Sequence, residues 1–380
     1  MKLKKIFHVG GWSRNYGDLA LQNGVMSQFN RHSEHALEFV PIHCQQTWIH
    51  PDLIDMINRQ GDMLLLGGGG MVFHRPEDDS HSGWQFNIRT EDIDKIEVPI
   101  VVYAIGFNQF FYDDRGFKPQ MPENLRRVQQ RAKIFSVRNQ GSRQALTRLG
   151  LDPEQIEVIP DPGMFTVPSP LHLPELEGHD LLIGLNWAGD RPFYRFPEPW
   201  EAHRSAAINS LSDALSKVLD QSENGRVVFV PHLQENIDSE VYPLFKERLG
   251  DRIVNLEQVA GHIYPPSYTQ SGFLADLYRQ MDCVIGMRGH ANIIPFGMNT
   301  PIVGFGSHNK NRFFLEECGL SDYMIDTNQL GLGDHSEQMY RTIRASLDNR
   351  ETVKAQMTSK LAEFQTTTDD FVRRALSYLK

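Results

Sequence analysis

Cys283-Val284-Ile285-Gly286-Met287-Arg288-Gly289-His290 decides the fold, together with the helix-like residues 291–298 and the run Pro301-Ile302-Val303-Gly304-Phe305 that follows. The two apolar runs are of strand length and bracket a segment of helix length, and Ser307-His308-Asn309-Lys310 comes next. The order reads strand, turn, helix, strand, turn. It puts Arg288, His290 and Lys310 at the carboxyl ends of two successive strands. In an open parallel sheet that edge is where ligands bind. A permanent cation, a group titrating near neutral pH and a second cation imply an anionic substrate undergoing proton transfer.

Outward from this point, β and α patterns alternate along the whole chain. Strands are predicted at residues 5–9, 38–42, 63–66, 100–105, 134–137 and 156–159, with helices at 19–29, 51–59, 123–131 and 142–149. After Pro160, Pro162, Pro168, Pro170 and Pro174 a second series begins, with strands at 181–186, 227–231, 253–256, 283–286 and 301–305. Proline clusters resist both helix and sheet, so this stretch reads as a linker. Near-continuous apolar strands separated by helices indicate a parallel sheet covered on both faces. The expected fold class is α/β, two Rossmann-like doubly wound domains facing across a cleft, at residues 1–165 and 176–345. Residues 346–380 are expected to be a helical segment, with Asp348-Asn349 as a break in the helix.

A length of 380 residues suits two domains, and 40% hydrophobic with 23% charged residues is ordinary for a globular enzyme. A net charge of −10 excludes broad binding to nucleic acid or anionic membranes. No apolar run approaches the length of a membrane span. Three cysteines without CxxC spacing fit a reducing, cytoplasmic setting.

Several strand ends carry candidate chemistry. Gly10-Gly11 and Asn15-Tyr16-Gly17-Asp18 open the first helix. They either offer helix N–H groups to an anion or form a tight turn with Asp18 as cap. The spacing is not a dinucleotide fingerprint. Gly67-Gly68-Gly69-Gly70 follows a buried strand, where bare backbone lets a substrate or the opposite domain approach closely. Residues 73–94, with His74, Arg75, His81, Trp84 and Arg89, read as a specificity loop. Arg138 reaches the cleft or makes a surface salt bridge, with Ser142 placed to cap the next helix. His232 is a ligand-side or a structural histidine, with Asp238 six residues on. His290 either transfers protons or serves as a capping or buried hydrogen-bonding histidine. No histidine or carboxylate pair has metal-ligand spacing, so the expected metal content is none, and no GxSxG elbow is present.

The set as a whole resembles the polysaccharide pyruvyl transferases. Gly10-Gly11 with Asn15 and Gly17-Asp18, the glycine run, Ser136-Val137-Arg138-Asn139 with Ser142, Leu146 and Leu149-Gly150, and Ile159-Pro160-Asp161-Pro162-Gly163 occur in that order. Pro231-His232 with Asp238, Arg288-Gly289-His290, and Pro301-Ile302-Val303 with Ser307 and Lys310 complete it, spanning about residues 10–319. Gly289 stands where a bulkier apolar residue is common, and Gly163 replaces an expected alanine.

The resemblance implies two Rossmann-like domains similar to GT-B glycosyltransferases, and transfer of a ketal pyruvyl group from phosphoenolpyruvate to a sugar. Arg288 and His290 fall on the family's R-x-H positions and become the expected catalytic pair. Arg138, Arg288, Lys310, His232 and Ser307 make the donor side, and Asn15, Asp18, Gly68, Gly69, Gly70 and Trp84 line the acceptor side or the cleft. Arg288→Ala and His290→Ala are each expected to abolish transfer without unfolding the chain. No cofactor is required beyond phosphoenolpyruvate as donor substrate. The implied partners are that small-molecule donor and a saccharide, with no nucleic acid and no integral membrane segment, and a homo-oligomer is compatible. The other readings are a GT-B glycosyltransferase using a nucleotide sugar and a non-catalytic carbohydrate-binding paralogue. Trp84, Trp187, Tyr194 and Trp200 are aromatics that stack on sugars or pack locally.

Overall fold

The computed structural model describes residues 3–12, 15–73, 80–113, 116–170, 172–233, 237–257 and 270–379. His74 and Arg75 of the expected specificity loop lie outside the described residues. The first sheet holds β1 (Leu3–Gly10), β2 (Ala36–His43), β3 (Met63–Phe73), β4 (Ile100–Asn108), β5 (Ala132–Val137) and β6 (Glu157–Val158), in the order β2-β1-β3-β4-β5-β6. The second holds β7 (Leu181–Asn186), β8 (Gly225–Phe229), β9 (Ile253–Asn255), β10 (Cys283–Gly286), β11 (Ile302–Gly306) and β12 (Met324–Asp326), in the order β12-β11-β10-β7-β8-β9. All pairings between these strands are parallel. This is the expected two-domain α/β fold.

Helices α1 (Tyr16–His32), α2 (Pro51–Gln60), α3 (Met121–Arg131) and α4 (Gln140–Arg148) flank the first sheet. Around the second lie α5 (Pro192–Arg195), α6 (Trp200–Leu219), α7 (Tyr242–Leu249), α8 (Gln270–Arg279), α9 (His290–Gly297), α10 (Asn309–Cys318) and α11 (Ser336–Asp348). The final helix, α12 (Arg350–Leu376), touches both halves. Its Val353, Met357 and Phe364 pack with Phe296 and Leu315, whereas Phe371, Val372 and Ala375 pack with Leu21, Phe29 and Tyr103. Phe371 stacks on Tyr103 with ring centroids 4.9 Å apart. One helix therefore carries two apolar stripes for two different cores, and so holds the halves against one another.

The strand orders fix where a ligand meets the fold. Successive connections leave β1 in opposite directions to β2 and β3, and leave β7 in opposite directions to β8 and β10. Helices cannot cover the sheet edge at such a reversal, so a crevice opens there at the carboxyl ends. The two reversals face each other. Tyr16 N donates to His232 O at 2.9 Å, and Asn15 bridges Leu233 in antiparallel fashion, as does Phe110 to His308.

Several elements differ from the sequence reading. The glycine run lies inside β3 rather than after it, with an irregular register against β4 between Gly69 and Val72. At Gly67 (φ +137°) a Cβ would fall 2.0 Å from Tyr103 O on β4, so no side chain fits. Ser307-His308-Asn309-Lys310 is not an isolated turn, because Lys310 lies in the first turn of α10. That helix begins with a polar run, and its buried Phe314, Leu315 and Cys318 come only later. Three-residue β12 is too short to leave a period.

Trp84 does not line the cleft. It is fully buried in the first core, where its indole N–H donates to Asn124 Oδ1 at 2.7 Å. A large ring with one satisfied polar atom is more stable there than in water. Trp187 is buried likewise, stacked on Phe196.

Candidate active site

Between the two reversals is a cavity of about 340 Å³. Gly11, Asn15, Asp18, Gly68, Gly69, Gly70 and Arg138 reach it from the first half, and His232, Arg288, Gly289, His290 and Lys310 from the second. Of the expected site residues only Trp84 and Ser307 are missing from its walls.

One side of the cavity is a histidine between two carboxylates. Asn15, not Asp18, caps α1, its Oδ1 accepting from Gly17 N at 3.0 Å. Asp18 therefore has no capping role and turns toward the other half. Its Oδ1 lies 3.6 Å from His290 Nδ1, while Asp161 Oδ1 lies 3.8 Å from His290 Nε2. The approach depends on Gly17, where a Cβ would come within 2.6 Å of His290 Cβ. Burial pushes the Asp18 carboxyl up, against the opposing charges of His290 and Lys310. Burial also acts to raise Asp161, but His290, Arg138 and the Gly163 N–H outweigh it and lower that carboxyl to about 2. At 3.8 Å His290 acts on Asp161 as a charge rather than through a normal hydrogen bond. Two carboxylates in one small space are thus held apart in protonation, as acid–base chemistry requires.

The opposite side is cationic. Among the described residues Arg138, Arg191, Arg195, Arg288 and Lys310 line the cavity against two lining carboxylates, Asp18 and Asp190. Most of these cations are already engaged. Arg288 donates from Nε to Asp238 Oδ2 at 2.7 Å and from Nη2 to Asp190 Oδ1 at 2.7 Å, and its Nη2 also meets Asp238 Oδ1. Its backbone N–H donates to Asn186 Oδ1. Arg288, expected on the donor side, is therefore not free to clamp an anion bidentately, because that fork is spent on protein carboxylates and only Nη1 is without a partner among the described residues. Removing Arg288 would strand the fully buried carboxylate of Asp238, so a variant that keeps its full stability is not expected either.

Arg195, which the sequence reading missed, is 2% exposed and fixes this layer. It holds Asp190 at 2.7 Å and donates to Ser307 Oγ at 3.0 Å and to His308 Nδ1 at 3.3 Å. Ser307 is therefore a buried support for Arg195 rather than a donor contact. His232 forms a hydrogen bond with Tyr278 Oη at 2.6 Å, and burial lowers its pKa to about 3. A neutral ring cannot serve as a cationic contact, so His232, whose Nδ1 has no partner among the described residues, can meet a donor only by a hydrogen bond.

Two cations keep unpaired N–H groups. Arg138 is a buried residue paired with Asp161 at 3.0 Å, not a surface salt bridge, and its Nε and Nη2 have no partner among the described residues. Lys310 has no ion-pair or hydrogen-bond partner among the described residues. Burial, then the charges of Arg138, Arg195 and Arg288, lower its pKa to about 7. The two buried donors of Arg138 each cost about 1–3 kcal/mol unless an anion satisfies them. Lys310 packs its stem over Gly289, where an added Cβ would sit 3.4 Å from Lys310 Cε.

A sequence model described as polysaccharide pyruvyl transferase matches residues 15–309. The chain belongs to the polysaccharide pyruvyl transferase family. No curated protein sequence matches it. Solved structures similar to this family member include UDP-GlcNAc 2-epimerase from Neisseria meningitidis bound to UDP-GlcNAc, at 10% identity and TM-score 0.57, covering 99% of this chain and 100% of that one. Anabaena Alr3699/HepE in complex with UDP and glucose matches at 11% identity and TM-score 0.53, covering 98% and 99%. The S. aureus MnaA–UDP co-structure matches at 12% identity and TM-score 0.53, covering 94% and 91%. At these identities the likeness is one of fold, the GT-B-like pair of domains.

Some site residues of this polysaccharide pyruvyl transferase family member escape a linear reading. Asp190, Arg191 and Arg195 sit in a proline-bearing connection after β7, where no period marks them. The available signal was their position, just past a strand at the reversal of the second sheet. Among the described residues no helix is long and apolar enough to cross a membrane.

Proposed function

We propose that the chain transfers the pyruvyl group of phosphoenolpyruvate to two hydroxyls of a saccharide, forming a pyruvate ketal and releasing phosphate. The observation that carries this reading is the pairing, in one cavity, of under-satisfied cations (Lys310 and Arg138) with a histidine flanked by Asp18 and Asp161. A donor bearing both carboxylate and phosphate needs the first group. Addition of hydroxyls across its double bond needs the second.

In this scheme protonated His290 gives its proton to the methylene carbon, so C2 becomes cationic. One acceptor hydroxyl adds to C2 and passes its proton to the Asp18 carboxylate. The second hydroxyl then displaces phosphate and returns its proton to His290. Asp18 hands its proton to the departing phosphate, so one proton ends on the new methyl group and one on phosphate. Asp161 stays ionised and orients His290, while Lys310, Arg138 and Arg288 Nη1 meet the donor's anionic groups. The scheme uses no metal or redox cofactor. Three buried cysteines without disulfides fit a reducing, cytoplasmic setting, where this donor is made.

The test is phosphate release from phosphoenolpyruvate across a panel of glycosides, with mass analysis of the sugar product. A sugar gaining a pyruvyl ketal, with release abolished in His290→Ala, is the expected result. Thermal stabilisation by nucleotide sugars but not by phosphoenolpyruvate would replace this reading with glycosyl transfer. Sugar binding without turnover of any donor would make the protein a non-catalytic carbohydrate binder.

A further inference from the structure

Beside the cationic cavity runs a second depression of quite different character. Phe111, Tyr112 and Asp113, from the segment after β4, form one wall, and Phe193, Tyr194 and Glu198, from α5 and the residues after it, form the other. Its volume is about 630 Å³. The walls come from the two halves of the molecule and are joined where Tyr112 N donates to Tyr194 O at 3.4 Å. Phe110 links the depression to the cavity, since it lines the cavity and its ring centroid lies 5.8 Å from that of Tyr194.

The two spaces differ in charge. Five basic side chains line the cavity, whereas among the described residues the groove is lined by Asp113 and Glu198 and by no lysine or arginine, the Arg312 guanidinium lying 5.1 Å from the Phe111 ring centroid. An anionic donor is drawn to the first rather than to the second. Phe193 is 45% exposed and meets Tyr194 edge-on at 4.3 Å, so the groove shows water an aromatic surface that the core does not use. Aromatic faces bordered by an exposed carboxylate (Glu198) suit a neutral ligand with apolar C–H faces and hydroxyl edges. A saccharide has that chemistry.

We infer that this groove is an acceptor subsite, holding neutral sugar units that lie beyond the unit receiving the pyruvyl group. The inference rests on the proposed transfer reaction for which end of the acceptor enters the cavity. A small cavity holding the donor and one reacting sugar leaves the rest of a longer acceptor to emerge beside it, and the aromatic groove adjoins it there. The substrate class is then an oligosaccharide rather than a single sugar.

The experiment compares neutral mono- and tetrasaccharides of the gluco, galacto and manno series, using wild type, Phe193→Ala and Tyr112→Ala. Equilibrium binding is measured by calorimetry, and phosphate release from phosphoenolpyruvate is measured in parallel. At least one tetrasaccharide should bind wild type more tightly than its monosaccharide. Each variant should lower that preference about tenfold, or about 1.4 kcal/mol. If tetrasaccharides show no preference over monosaccharides, or if both variants keep the wild-type preference, the subsite is overturned. Binding needs no turnover. A lost preference without phosphate release would therefore sink the transfer reaction and leave the sugar site standing.

Discussion

Asp18 Oδ1 and His290 Nδ1 lie 3.6 Å apart, although one belongs to the first helix of the chain and the other opens α9 in the opposite half. The proposed proton-transfer pair is therefore a product of domain apposition. Asp18→Asn should reduce phosphate release by about 10²- to 10⁴-fold, the usual worth of a positioned acid or base. Its thermal midpoint should stay near wild type, because the side chain is about a quarter exposed. Near-wild-type turnover in this variant would remove Asp18 from the scheme.

Gly17 sets that apposition. In Gly17→Ala the new Cβ meets His290 Cβ at 2.6 Å, so α1 and α9 must move apart. A displacement of this kind costs about 10²-fold in rate. Gly116→Ala, whose Cβ meets nothing within 4 Å, should behave as wild type. Steady-state kinetics on the two variants checks the contrast, and equal activity would show that the helix contact is not limiting.

Arg288 binds Asp190 and Asp238, and its loss should be felt in stability first. Arg288→Ala leaves the fully buried Asp238 without its counter-charge, whereas Asp190 keeps Arg195, at a cost of about 3–5 kcal/mol. Denaturant unfolding should show it, with partial recovery in Arg288→Met/Asp238→Asn, where the charge removed at 288 is balanced at 238. An unshifted midpoint in the single variant would mean that the pair adds nothing to folding.

Lys310 should make donor binding depend on pH. Its folded-state pKa of about 7 lies below the ordinary 10.5, so the free protein loses this cation as pH rises through 7. Above that point affinity for phosphoenolpyruvate should fall, by at most about tenfold per pH unit for one linked proton. Lys310→Arg keeps its charge and should flatten the dependence. For stability the sign is opposite. Between 7 and 10.5 the unfolded chain holds the extra proton, so Lys310 by itself favours folding more as pH rises. Calorimetric titrations between pH 6 and 9 test the binding, and identical profiles for both proteins would exclude Lys310 as the anion contact.

The sequence was most informative where periodicity and strand ends coincide. The runs at 181–186 and 283–286 are strands with those same bounds, because buried parallel strands are apolar throughout and end at glycine or polar residues. Ten of the expected site residues reached one cavity for a related reason, since most sit just past such strands and Gly68, Gly69 and Gly70 lie in the carboxyl half of β3. Trp84 failed because a tryptophan among polar neighbours looks exposed, whereas one partner, Asn124, is enough to bury it. Arg288 was placed correctly but given the wrong partner, because Asp190 and Asp238 are distant in sequence.

The amino-acid sequence by itself determined the α/β architecture, the family, and the presence of arginine, histidine and lysine at the ligand edge, because these follow from local period and from residue type at strand ends. The tertiary structure alone decided which cations have donors to spare, which carboxylate is held ionised, and that Asp18 rather than Trp84 faces His290. Those properties depend on burial and on charges brought together from both halves of the chain, and burial and pairing at a distance leave no period in the sequence.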